Sequence, residues 1–184
     1  MTDLSRRGFA LGAVATTLAA CGNGIGSSGA ATIDARVDST LNALYQAYPG
    51  AQRLGSQAAG ILVMPLVTEV GLGLGGSFGR GALRVGQSTV DYYAAASGSA
   101  GLQIGAQQFS HVLFFMTQEA LQEFRSSQGW AAGADVEYAF SNQAEMLRAE
   151  TTTSLSPVIA AVFGQTGLRV GATLEGTKYT RIIP

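Results

Sequence analysis

Gly71-Leu72-Gly73-Leu74-Gly75-Gly76 decides how the chain is read, because its pattern, G-L-x-Φ-G-[GA], returns twice. It recurs at Gly101-Leu102-Gln103-Ile104-Gly105-Ala106 and at Gly167-Leu168-Arg169-Val170-Gly171-Ala172. On a strand, side chains alternate between faces. Leu72 and Leu74, Leu102 and Ile104, and Leu168 and Val170 therefore each point to one side, and the glycines to the other. Glycine weakens a strand unless the sheet bends sharply or another segment crosses close over it. Three such strands predict an α+β protein with a glycine-rich, curved antiparallel sheet or small barrel, a backbone or helix lying over the bare face. The copies stand 30 and then 66 residues apart, too uneven for a solenoid. Gly71, Gly75, Gly101, Gly105, Gly167 and Gly171 are the structural glycines of this reading.

Outward from the motif, further strands are read at Ala59–Val67, Thr89–Ala96 and the apolar run His111–Met116. Val158–Phe163, Leu168–Leu174 and Tyr179–Ile182 follow near the end, for about seven strands. Ile33, Val37, Leu41, Leu44, Tyr45 and Tyr48 recur at spacings of three and four. They predict an amphipathic helix with Asp34 in its first turn, ended by Pro49-Gly50 and packed on its own domain or, as the alternative, docked on lipid. To such docking Arg36, its one basic residue against Asp34 and Asp38, would add little attraction. Thr117 is placed to cap a second helix through Gln128, with Leu121 and Phe124 inward, Arg125 near its end and Gly129 as the stop. Ser141–Arg148 is a weaker third.

The 184 residues include 25 glycines, and only 12% are charged, roughly half the charge density of an ordinary soluble domain. Apolar content of 47% is that of a folded protein, and a net charge of −1 provides no field for nucleic acid. The first twenty residues read as an export signal. Ser5-Arg6-Arg7-Gly8-Phe9 is of twin-arginine type, with Arg6, Arg7 and Phe9 as its marks, and Leu18-Ala19-Ala20-Cys21 has the form of a lipobox. A small residue before the cysteine admits the peptidase, and the freed Cys21 thiol can take a diacylglycerol. The apolar run between them is too short to span a bilayer comfortably.

Residues 1–20 are therefore expected to be a signal peptide, 21–31 a flexible tether and 32–184 a single domain. Loss of Arg6, Arg7 and Asp3 leaves nine basic and eleven acidic side chains. Several acyl chains at Cys21 anchor far more firmly than one. Gly22, where an aspartate would signal inner-membrane retention, favours an outer-membrane lipoprotein facing the periplasm. With no second cysteine, no intramolecular disulfide can form.

Enzymatic motifs are present in form only. Gly75-Gly76-Ser77-Phe78-Gly79 satisfies G-x-S-x-G, and Asp91 and His111 follow in hydrolase order, but the motif needs a strand-to-helix turn and a glycine-rich strand follows it. Gly71–Gly76 also fits G-x-G-x-x-G, again with no helix to receive a pyrophosphate. One histidine and one cysteine make no ordinary zinc site, and no calcium loop is present. No catalytic residue, metal or cofactor is expected.

Ala59-Gly60-Ile61-Leu62-Val63-Met64-Pro65, the glycine-rich stretch Gly71–Gly81 and Ala100-Gly101-Leu102-Gln103-Ile104-Gly105-Ala106-Gln107 carry a resemblance. With His111–Phe124 and Val158–Gly176 they make residues 58–184 resemble the SYLF domain, also called the Ysc84 actin-binding domain. In that family Gly71–Gly81 corresponds to a hairpin. The chain departs from the family at Phe140-Ser141-Asn142, where Gly-Pro-Gly is usual, and at Phe163-Gly164, where Tyr-Ser is usual. Eukaryotic members resemble phosphoinositide binders with a basic N-terminal segment, which this sequence lacks, and some bind actin, which a bacterial periplasm would not contain.

The resemblance implies a non-enzymatic, lipid-anchored envelope protein held to the membrane through Cys21, whose domain contacts phospholipid. The alternative is a periplasmic structural or protein-interaction module, with envelope proteins as partners and no lipid binding beyond its anchor.

Overall fold

The computed structural model describes residues 28–133, 136–139, 156–164, 167–168, 174 and 176–184. Helix α1 (Gly29–Ala47) begins three residues before the expected Thr32 and buries Ile33, Val37 and Leu44 on the predicted face. Asp34 consequently sits past the first turn. Pro49-Gly50 ends α1 as expected but does not end helical structure. Tyr48 leaves the helical region with φ −137° and ψ 86°, as a residue before proline tends to, and Pro49 then opens α2 (Pro49–Gln57). Proline suits a first helical position because the N–H it lacks has no helical partner there.

The strands expected at Ala59–Val67, Thr89–Ala96 and His111–Met116 are parts of two long ones. These are β1 (Gly60–Val85) and β2 (Ser88–Phe115), paired antiparallel along their whole length. Gly71–Gly81 is thus the middle of a strand and not a hairpin turn. The turn is Gly86-Gln87, with Gly86 at φ 59°, a conformation that costs other residues energy.

A straight strand of 26 residues would run roughly 85 Å. The ribbon instead folds back on itself. A Cβ added at Gly79 would sit 2.8 Å from the Leu66 carbonyl oxygen and 2.7 Å from a Val67 methyl, and one added at Gly81 would strike the Val63 carbonyl oxygen. The second half of β1 therefore lies directly against its own first half.

The reversal falls between Val67 and Gly79, where two glycine motifs face each other. Gly71 is opposite Gly105, Leu72 opposite Ile104 and Gly73 opposite Gly101, with Leu102 and Gln103 bulged out of the ladder. Bulges and glycines are the devices by which a ribbon bends. A further irregularity at Met64/Val67 accommodates Pro65, whose carbonyl accepts from Ser110 Oγ at 2.7 Å.

Around β2 the remaining strands complete an open, curled half-barrel. Strand β5 (Val158–Gly164) pairs with Phe109–Phe115 and β7 (Lys178–Ile182) with Tyr92–Ala96. Strand β3 (Trp130–Ala131) lies on β7, and β6 (Gly167–Leu168) on β5. Strand β4 (Val136–Ala139) runs parallel to β5, and the other pairings among the described residues are antiparallel. Helix α3 (Gln118–Ser126) is capped as predicted, Thr117 Oγ1 accepting from the Ala120 N–H at 3.2 Å, and stops two residues short of Gln128. The helix expected at Ser141–Arg148 lies outside the described residues.

Alternation divides the apolar strands between two cores. Ile61, Val63, Val112, Phe114, Ile159 and Ala161 face α1 and α2. Leu62, Met64, Leu113, Phe115, Ala160 and Val162 lie on the opposite face with Leu121 and Phe124 of α3. There Phe124 packs on Tyr93 at 4.7 Å and on Phe115 at 4.8 Å between ring centres. Both faces are covered, which is why these segments read as unbroken apolar runs. Each fully buried large side chain contributes about 1.5–3 kcal/mol.

Gly81→Ala places a methyl on the Val63 carbonyl. It is expected to destabilise by about 3 kcal/mol or more. Gly98→Ala, whose Cβ meets nothing within 4 Å, should change stability by less than about 0.5 kcal/mol. Urea midpoints of the two variants check this, and equal midpoints would refute the fold-back contact.

Candidate functional site

The fold-back of β1 brings residues 65–68 beside residues 78–80, and α1 lies across both. Between them is a cleft of about 340 Å³. From α1 it receives Gly29, Thr32, Ile33 and Arg36, whose spacing of three, four and seven places them on one helical face. From β1 come Pro65, Leu66 and Thr68 on one side and Phe78, Gly79 and Arg80 on the other. Among the described residues that line the cleft there is no carboxylate. Phe78 is 53% exposed and Leu66 37%, and the Arg80 guanidinium stands 6.0 Å from the Phe78 ring centre, within cation–π range. An apolar floor beside the Arg36 guanidinium can hold a molecule with an acidic head and a hydrocarbon body.

The acids of α1 face elsewhere. Asp34 accepts from Thr89 Oγ1 at 2.7 Å and from the Tyr92 hydroxyl at 2.8 Å, and Asp38 accepts from Arg84 at 2.6 Å. Burial and the Asp34 carboxylate push the Tyr92 hydroxyl above its usual pKa. These bonds, with three buried apolar residues, hold α1 on its own domain. They also leave Arg36 on the cleft side of the helix without an acidic neighbour among the lining residues.

Sequence reasoning weighed Arg36 only against Asp34 and Asp38 and did not single out Phe78 or Arg80. The available signal was the period of two: Phe78 and Arg80 share one strand face, on a segment whose intervening residue is glycine.

Of the residues singled out from the sequence, Arg6, Arg7, Phe9, Leu18, Ala19, Ala20 and Cys21 lie outside the described residues, as does Gly171. The backbones of Gly71, Gly75, Gly101 and Gly105 all lie in the β1–β2 ribbon. Gly167 lies in β6, opposite Gly164 of β5, and residues 169–172 of that third copy lie outside the described residues.

Ser77, Asp91 and His111 are not assembled as a triad. Ser77 Oγ hydrogen-bonds Ser97 Oγ at 2.7 Å. Asp91 binds the Arg125 Nε at 3.0 Å and lies 3.4 Å from that of Arg181, tying α3 and β7 to β2. His111 is buried, its Nε2 2.8 Å from the Tyr179 hydroxyl. Among the described residues no group of three or more His, Cys, Asp or Glu could hold a metal ion, and no helix is long and apolar enough to cross a membrane.

The architecture is that of an α+β domain with an open amphiphilic cleft. Residues 96–181 match the family model Ysc84, described as Las17-binding protein actin regulator. Over that stretch the chain is similar to the SYLF (Ysc84) family, a family of binding domains and not a known enzyme family. No curated protein matches the chain.

His111 yields a pH dependence. Desolvation lowers its pKa from 6.5 to about 3. The native ring therefore stays neutral while the unfolded ring takes up a proton below pH 6.5. Stability from this group is complete above pH 6.5 and is lost as the pH falls toward 3, at about 1.4 kcal/mol per unit. Lowering the pH from 7 to 5 should cost about 2 kcal/mol through His111. His111→Phe should flatten the curve of unfolding free energy over that interval, and an unchanged slope in the variant would contradict the assignment.

Proposed function

We propose that the chain is a non-enzymatic, lipid-anchored cell-envelope protein whose SYLF domain contacts phospholipid. Residues 1–20 direct export by the twin-arginine route, Cys21 carries the lipid, and the protein faces the periplasm from the outer membrane. The observation that supports lipid contact is the cleft, with exposed Phe78 and Leu66 beside Arg36 and Arg80. Its position agrees with such an anchor. Helix α1 begins at Gly29, eight residues after Cys21, so even an extended tether holds this end of the domain within about 29 Å of the anchored residue.

A second reading is a protein-interaction module that uses lipid only at its anchor. It is favoured by exposed Val70, Val85 and Val90 along the ribbon and by the similarity to a family described as a Las17-binding protein actin regulator.

Liposome flotation separates the two. Residues 21–184 carrying Cys21→Ser retain every described residue and cannot be lipidated. This protein should co-float with vesicles containing anionic phospholipid, and Arg36→Glu with Phe78→Ala should abolish flotation. If the protein stays at the bottom with every phospholipid mixture, lipid contact by the domain is refuted and the interaction module stands.

A further inference from the structure

We propose that the α1–β1 cleft takes up a single anionic amphiphile, one carboxylate or phosphate head on one acyl chain, the head at Arg36 and the chain along Phe78 and Leu66. The inference rests on the lipid-contact reading of the same site and goes further, from contact with a surface to capture of one molecule.

Shape is the first argument. A domain that inserts into a bilayer presents a protruding apolar element, and here the apolar side chains line a recess between a helix and a folded-back strand. The volume of about 340 Å³ lies at the small end of the range for small-molecule sites, which suits one chain and not the two of a phospholipid.

Charge is the second. Arg36 lines the cleft with no carboxylate among the described lining residues, and the acids of α1 are engaged by Arg84, Thr89 and Tyr92 on the other side of the helix. A guanidinium fork suits carboxylate and phosphate oxygens alike. Fatty acid and lysophospholipid therefore share the chemistry that the cleft recognises.

Residues 21–184 with Cys21→Ser can be titrated calorimetrically with dodecanoate, monododecyl phosphate and dodecanol, each below its micelle concentration. At least one anionic probe is expected to bind one molecule per protein, at least about tenfold more tightly than dodecanol. The tighter of the two identifies a fatty acid or a lysophospholipid as the source. Arg36→Gln and Phe78→Ala should each weaken that binding by about tenfold. Both side chains are exposed, so their loss leaves the core intact. Unchanged urea midpoints verify folding, and Arg80→Gln serves as an independent third variant.

Absence of binding by both anionic probes overturns the proposal, as does dodecanol binding equally well or affinity unchanged in all three variants. Capture without flotation upholds this inference and removes the bilayer reading; flotation without capture does the reverse.

Discussion

The rest of the structure depends on the contact that β1 makes with itself. Gly79 and Gly81 lie against the Val63–Val67 backbone at distances no side chain would allow. That contact turns a ribbon too long for a small domain into a curled one. It sets Leu83 and Tyr93, from beyond the bend, in one core with Leu62 and Met64, from before it. It also places Pro65 and Leu66 beside Phe78 and Arg80, residues more than ten positions apart on one strand. Core and cleft are products of a single reversal, so a change that straightened the ribbon would remove both.

The scarce charges are spent at seams. Arg84 holds α1 through Asp38 and Asp34, and Asp91 gathers Arg125 from α3 and Arg181 from β7. Exposed ion pairs contribute little each. Asp91, whose side chain is only 13% exposed, is better shielded, and two cations share it. With the central strands buried on both faces, much of the chain has no surface on which a charge could stand, which accounts for part of the low charge density.

The architecture was legible where a local pattern had a local cause. The three-and-four spacing of Ile33, Val37 and Leu44 marked the buried face of α1, and Thr117 marked the start of α3. Glycine repeats announced a curved sheet with a backbone crossing a bare face. The position of that crossing was misread. It falls at Gly79 and Gly81, outside the repeated motif, because the motif glycines make the bend and the next glycines receive the strand that returns. Helix α2 was missed because proline was read as a stop, when after a break at Tyr48 it serves equally well as a start. The parallel pairing of β4 with β5 depends on a long connection that no local pattern records.

The cleft was illegible for a related reason. Its residues come from three segments whose meeting is a consequence of tertiary reversal, and each looks unremarkable alone: an arginine on a helix with two aspartates, a Pro-Leu in an apolar strand, a Phe-Gly-Arg in a glycine run. Local charge counting made Arg36 the minority partner of Asp34 and Asp38. Helical geometry reverses that conclusion. At a rotation of 100° per residue, Asp34 and Asp38 lie together on the side that meets Arg84, and Arg36, between them in sequence, is carried round to the cleft. Composition fixes how many charges a helix holds, but their angular position decides what kind of molecule each face can meet.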